Sequence, residues 1–165
     1  MRIIEIKAFQ FEELDSQTKE KVIEDNRTIN LDKDFWWQDE LHIYKNELDI
    51  IVREFDIYRR IINITIEDSF ETAQKIVNFF GKESSIVKTA EIFLKDNISV
   101  CKSYEDDWYE LEEQLEYLEE EFRREIAEEI LSMLTLDYEY QISDDAIKET
   151  IIANEYEFTE EGEML

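Results

Sequence analysis

A chain of 165 residues with 43% hydrophobic and 13% aromatic content can bury a core, which excludes general disorder. It has no proline and only two glycines, Gly81 and Gly162, too few turn residues for a sheet-rich fold. The net charge of −26 opposes direct contact with nucleic acid or an anionic membrane and favours partners with basic surfaces.

Residues 2–9 alternate imperfectly, with Ile4, Ile6 and Ala8 against Ile3 and Phe9, and are predicted to form a strand. Asp15 is placed to cap a helix running to about Ile29, with 16–26 its firmest part. The segment 30–32 breaks it, and Asp32 or Asp34 caps the next. Trp37, Leu41, Tyr44, Leu48, Ile51 and Phe55 then recur in steps of four and three, the rhythm of an amphipathic helix over 34–54. Ile62, Ile64 and Ile66 alternate with Asn63 and Thr65, which predicts a half-buried strand within 57–66. Asp68 caps a short helix over 69–80, with Gly81 at the expected left-handed C-cap position. A further helix starts at Ser84 or Ser85 and ends near Asn97.

The longest predicted helix covers about 104–138. Its apolar seam comprises Trp108, Leu111, Leu115, Leu118, Phe122, Ile126, Ile130 and Met133. Thirteen of the twenty-five residues from Glu105 to Glu129 are acidic, against two bases, Arg123 and Arg124. Like-charged pairs four apart, such as Glu112/Glu116 and Glu121/Glu125, each cost about 0.2–0.5 kcal/mol, so burial of the seam must sustain the helix. The seam departs from a heptad rhythm after Phe122, which argues against a long coiled coil. Ser143 caps a short helix over 144–153, and 155–165 reads as a strand, a turn at Glu160-Glu161-Gly162 and a short return strand. The expected architecture is a single domain, 1–165. It is a helix-dominated α+β fold in which the long acidic helix packs with one small antiparallel sheet.

Several chemistries lack their residues. There is no glycine-rich phosphate loop, and Cys101 and His42 stand too far apart in sequence to suggest a zinc cluster. His42 is read as a helix-surface residue. No calcium-loop pattern accompanies the acids, and carboxylates along a helix rarely converge on one ion. No catalytic residue, metal ligand or cofactor is therefore assigned, and the expectation is a binding protein and not an enzyme. A lone cysteine fits a reducing cytoplasm, and no run of about 18 apolar residues suits a membrane span.

The charge is unevenly placed. Residues 1–104 hold 21 acids and 15 bases, while 105–165 hold 23 acids and 3 bases, giving the last third a net charge of −20. At 1.5 Å rise per residue, the long helix carries roughly one carboxylate per 3 Å, near the one charge per about 3.4 Å of a single DNA strand. The outward positions Glu112, Glu113, Glu116, Glu119, Glu120 and Glu121, with Glu105, Asp106 and Asp107 at the helix start, are the candidate mimic of a phosphate ladder. They would face a basic protein, foremost a nucleic-acid-binding effector; the blander reading is a solvated face. Trp36 and Phe35 cannot both share the stripe of Trp37. Trp36 is therefore a candidate interface anchor, against the alternative of a broad core contact. A monomer and a homodimer both remain open.

Four segments together carry a resemblance: 14–21 (LDSQTKEK), 26–30 (NRTIN) with 34–37 (DFWW), 66–68 (IED) and 153–162 (ANEYEFTEEG). Across nearly the whole chain the sequence resembles a family of small acidic proteins of bacteriophages and other mobile elements, sometimes labelled antitoxin-like. The family pattern includes a Gly/Ser-rich insertion before the central strand; here the chain passes from Asp56 to Ile61 without one. The resemblance transfers no catalytic residue. A phage source implies an inhibitor of a host defence system, of CRISPR or restriction type, acting in the bacterial cytoplasm. The alternatives are an antitoxin neutralising a cognate toxin, or a phage structural or assembly factor.

Overall fold

A computed structural model describes residues 7–31, 36–104 and 107–165. The fold is α+β and helix-dominated, as expected, and its contacts sort into two compact units. The predicted first strand falls mostly outside the described residues, as do Asp32, Asp34 and Phe35.

The larger unit, Trp37–Thr135, opens with α2 (Gln38–Leu48) and continues directly into β2 (Ile50–Asp56). This corrects the helix predicted over 34–54. The apolar stripe is helical as far as Leu48, but Ile50, Ile51 and Val52 are a β-branched run suited to a pleated strand. Asp49 makes the junction with φ 55°, a left-handed conformation that Asp tolerates better than most residues. Lys75 forms ion pairs with Asp49 and with Glu71, the latter at 2.8 Å. These hydrogen bonds, that to Asp49 foremost, hold the lysine pKa above its ordinary range.

β2 pairs antiparallel with β3 (Ile61–Ile66), in a register running from Ile50↔Ile66 to Asp56↔Ile61 with an irregularity between Val52 and Glu54. Residues 57–60 form the turn of this hairpin. Asp68 caps α3 (Ser69–Phe79) by accepting from the Glu71 amide at 2.8 Å. Gly81 follows without positive φ, and the C-cap is Phe80 in extended backbone, so the expected left-handed glycine cap is absent.

α4 (Ser85–Ser103) runs past the predicted end at Asn97. α5 (Trp108–Gln141) begins after the expected residue 104, because Tyr104 closes α4, and extends beyond 138. Two contacts fix α4 and α5 as antiparallel: Ser85 Oγ donates to Glu129 at 2.6 Å, and the Phe93 ring stacks on Phe122 at 4.3 Å. The core gathers Tyr44 and Leu48 of α2, Ile76 of α3, Phe93 of α4, and Ile126 and Ile130 of α5. Tyr44 donates its hydroxyl to Met133 Sδ at 3.0 Å. Its burial, with the Glu40 and Glu129 charges adding to it, holds the phenol well above its ordinary pKa.

The smaller unit comprises Met1–Trp36 and Leu136–Leu165. Within it β1 (Phe9–Gln10) pairs antiparallel with β4 (Glu157–Phe158), Phe9 opposite Phe158. Among the described residues the strands thus form two separate two-stranded sheets, which corrects the single sheet expected from sequence. The partner of 61–66 is β2, which the helical reading had hidden. Asp15 caps α1 (Ser16–Asp25) through the Gln17 and Thr18 amides. That helix ends short of the expected Ile29, and the chain continues in turns. Ser143 caps α6 (Asp144–Ala153) as predicted. The C-terminal turn is also as predicted: Gly162 has φ 82° and its amide donates to Thr159 O at 3.0 Å, while Phe158 bridges to Met164. Phe11, Leu14, Val22, Ile147, Ile151 and Phe158 form this unit's core. Arg27 ties α1 to α6, pairing with Glu24 at 2.6 Å and with Asp144.

Candidate acidic interface on the long helix

Burial along α5 is graded. From Phe122 onward the buried residues are Phe122, Ile126, Ala127, Ile130, Leu131 and Leu134. At 3.6 residues per turn they cover about half the circumference, so packed neighbours enclose the helix there. Before Phe122 nothing is fully buried. Leu111, Leu115 and Leu118 are half-buried and Trp108 is 74% exposed, although all four belong to the predicted seam. Of these only Leu118 packs against the core. The inward stripe is thus real from Leu118 to Met133 and fails at its first three positions. The structure adds Ala127, Leu131 and Leu134, which the strict three-four rhythm omitted.

The candidate residues separate into groups. Glu112, Glu113, Glu116 and Glu120 are exposed, and among the described residues no cation lies within salt-bridge distance of them. On a regular helix these four fall within about a third of the circumference and span about 12 Å of axis. The same side of α5 later carries the buried Ala127, Leu131 and Leu134, so it changes from solvent-facing to core-facing along its length. Glu119 and Glu121 are partly neutralised: Arg123 bonds Glu119 at 2.7 Å and Arg124 bonds Glu121 at 3.1 Å. The Tyr117 hydroxyl bonds Glu121, which holds that phenol above its ordinary pKa. Asp107 is exposed but has a local task, since its carboxylate accepts from the Glu110 amide at 3.2 Å at the helix start. Glu105 and Asp106 lie outside the described residues.

Trp36 is half-buried, with its ring 5.7 Å from that of Tyr138. Its apolar surface is already partly covered within the smaller unit, which favours the contact reading over an open anchor. His42 is exposed on α2 and shares a hydrogen bond of 2.5 Å with Asn46, one turn on. Among the described residues no group of three or more His, Cys, Asp or Glu is arranged to hold a metal ion. No helix among them is long and apolar enough to cross a membrane.

Sequence reasoning missed a groove beside the acidic face. All of its lining comes from α5: Trp108, Leu111 and Leu115, beside Glu112, Glu116, Glu119 and Arg123. The hollow is open to solvent and has a volume of about 420 Å³. Helix length was the available signal. The part of α5 in the larger unit, 108–135, is about 42 Å long at 1.5 Å per residue. A compact body of about 100 residues, with a radius of gyration near 13 Å, is only about 34 Å across. One end of such a helix must outrun the core. The chain matches no protein-family model, no curated protein and no solved structure.

Proposed function

We propose that this protein is an inhibitory binding protein of a phage or similar mobile element, one that counters a bacterial defence system of CRISPR or restriction type. It acts without catalysis, in the host cytoplasm, by presenting the first half of α5 to the basic groove of a nucleic-acid-binding effector. The observation that carries this reading is the row of Glu112, Glu113, Glu116 and Glu120, exposed and with no cation within salt-bridge distance among the described residues. Four charges over about 12 Å approach the spacing of phosphates on one DNA strand, about 3.4 Å. The row is also set on a regular helix whose far half is anchored in the core, so little ordering entropy opposes binding. The phage and defence elements of the proposal rest on the sequence resemblance; the acidic surface supports the choice of a basic partner.

The test is affinity capture from a bacterial lysate with wild-type protein and with Glu112→Gln, Glu113→Gln, Glu116→Gln and Glu120→Gln combined. The expected partner binds nucleic acid, is displaced by duplex DNA, and is lost with the variant. A partner retained equally by both proteins, or indifferent to DNA, overturns the reading.

A further inference from the structure

The acidic row and the groove beside it place two kinds of surface on one helix face, and a phosphate mimic needs only the first. Trp108 is 74% exposed, and Leu111 and Leu115 are half-buried outside the core, so apolar surface is left open along two helical turns. Covering such surface is favourable, because it removes apolar area from water. A purely electrostatic channel would leave that gain unused.

We propose that the groove receives a cationic amphipathic helix of the partner, packed along the first half of α5. The proposal rests on the preceding reading, in which this half of α5 is the binding element, and it specifies the chemistry of what binds there. Three observations carry it. The apolar positions Trp108, Leu111 and Leu115 stand at i, i+3 and i+7, the spacing of anchors that meet a second helix at 8–10 Å between axes. Glu112 and Glu116 stand at i and i+4 along one side of that stripe, with no cation within salt-bridge distance among the described residues, where an incoming helix would present its flanking Lys or Arg; Glu119 beyond them is already bonded to Arg123. α4 and α5 already form an antiparallel pair, so a third helix extends packing the protein uses within itself. Charge decides the sign of the partner. With −20 on residues 105–165, a second copy of this chain would be repelled, and a cationic helix attracted. Nucleic-acid-binding proteins carry such helices for the DNA major groove, so occupation here would compete with DNA for the same element.

The probe is a synthetic peptide of about 18 residues, long enough for five helical turns. It carries Leu at helical i, i+3, i+4 and i+7 spacing and Lys or Arg elsewhere. Its control has the same composition in an order without an apolar face. Binding to the full chain is measured by calorimetry and by amide chemical shifts, at about 0.05 M and 0.5 M salt. The amphipathic peptide is expected to bind at least about tenfold more tightly than the control, a difference of about 1.4 kcal/mol. It should gain helicity, shift amides within 108–123, and keep part of its affinity at high salt. Trp108→Ser, at an exposed position that the fold does not need, and Leu111→Ser should each weaken the amphipathic peptide and leave the control unchanged.

Equal binding of the two peptides, abolished by salt and by the Glu→Gln changes, overturns the helix proposal and leaves the acidic-face reading standing. Tight amphipathic binding that ignores the Glu→Gln changes overturns both, because the charge row would then have no part. A dimer in sedimentation that Trp108→Ser dissociates also overturns the proposal, since the groove would belong to a second copy.

Discussion

Replacing Gly162 by alanine tests the packing of the smaller unit at one atom. Gly162 has φ 82°, and an L-residue held in the left-handed region costs about 1–2 kcal/mol. The added Cβ would lie 2.9 Å from Thr18 Cγ2 and 3.0 Å from Val22 Cγ2. Neither neighbour yields easily. Val22 is fully buried and β-branched, with a restricted χ1. Thr18 is held by its hydroxyl, which donates to Asp15 at 2.8 Å. Overpacking of this kind costs about 1–3 kcal/mol, so the total is about 2–5 kcal/mol. Gly81→Ala is the internal control: no atom lies within 4 Å of its added Cβ and its φ is not positive. It should be neutral or stabilise by up to about 1 kcal/mol through the unfolded chain. Urea unfolding followed by far-UV circular dichroism measures both. With a slope of about 1–3 kcal/mol per molar urea, Gly162→Ala should lower the midpoint by about 1 M or more. Amide exchange should quicken at Val22, Ile147 and Phe158 before Ile126. A Gly162→Ala midpoint within error of the wild type would refute the account of this turn, and with it the docking of the C-terminal hairpin on α1.

Phe122→Ala removes a ring that is 2% exposed and stacked on Phe93, and should cost about 3–5 kcal/mol in chemical denaturation. Asp15 is held below its ordinary pKa, chiefly by the Thr18 amide and hydroxyl, so its contribution is present above the usual carboxylate range and lost as pH falls through the lowered native value. Asp15→Asn should therefore differ from wild type near neutrality, begin to converge with it as pH falls below about 4, and match it only beneath the lowered native value. With a net charge of −26, the melting temperature should rise as salt screens self-repulsion, in contrast to a fold held mainly by surface ion pairs. The Tyr44 phenol, raised by burial and by nearby carboxylates, should stay protonated in an alkaline absorbance titration until the chain unfolds.

Much of the architecture was legible because caps and periodicity act locally. Asp15, Asp68 and Ser143 each accept the backbone amides that their positions implied. Gly162 marks the C-terminal turn because only glycine takes its φ without strain. Two features escaped for opposite reasons. The stripe from Trp37 to Phe55 satisfies a helical period through Ile51, yet the β-branched run at 50–52 pairs with β3, and that tertiary pairing overrides the period. On α5 the period was right but uniform burial was not. Spacing says which residues share a face; it does not say where the neighbouring core ends. The acids were easy to find, whereas their separation into exposed Glu112, Glu113, Glu116 and Glu120 and Arg-paired Glu119 and Glu121 needed side-chain geometry.

The claim that most of this account depends on is that the exposed carboxylates of α5 meet a cationic partner that otherwise holds nucleic acid. It is tested most directly by mixing the captured partner with labelled duplex DNA and titrating in this protein at low and at moderate salt. The account predicts stoichiometric release of the DNA by the wild type, weaker release as salt rises, and none by the combined Gln variant at Glu112, Glu113, Glu116 and Glu120. Release that is equally effective with the variant and insensitive to salt would contradict it.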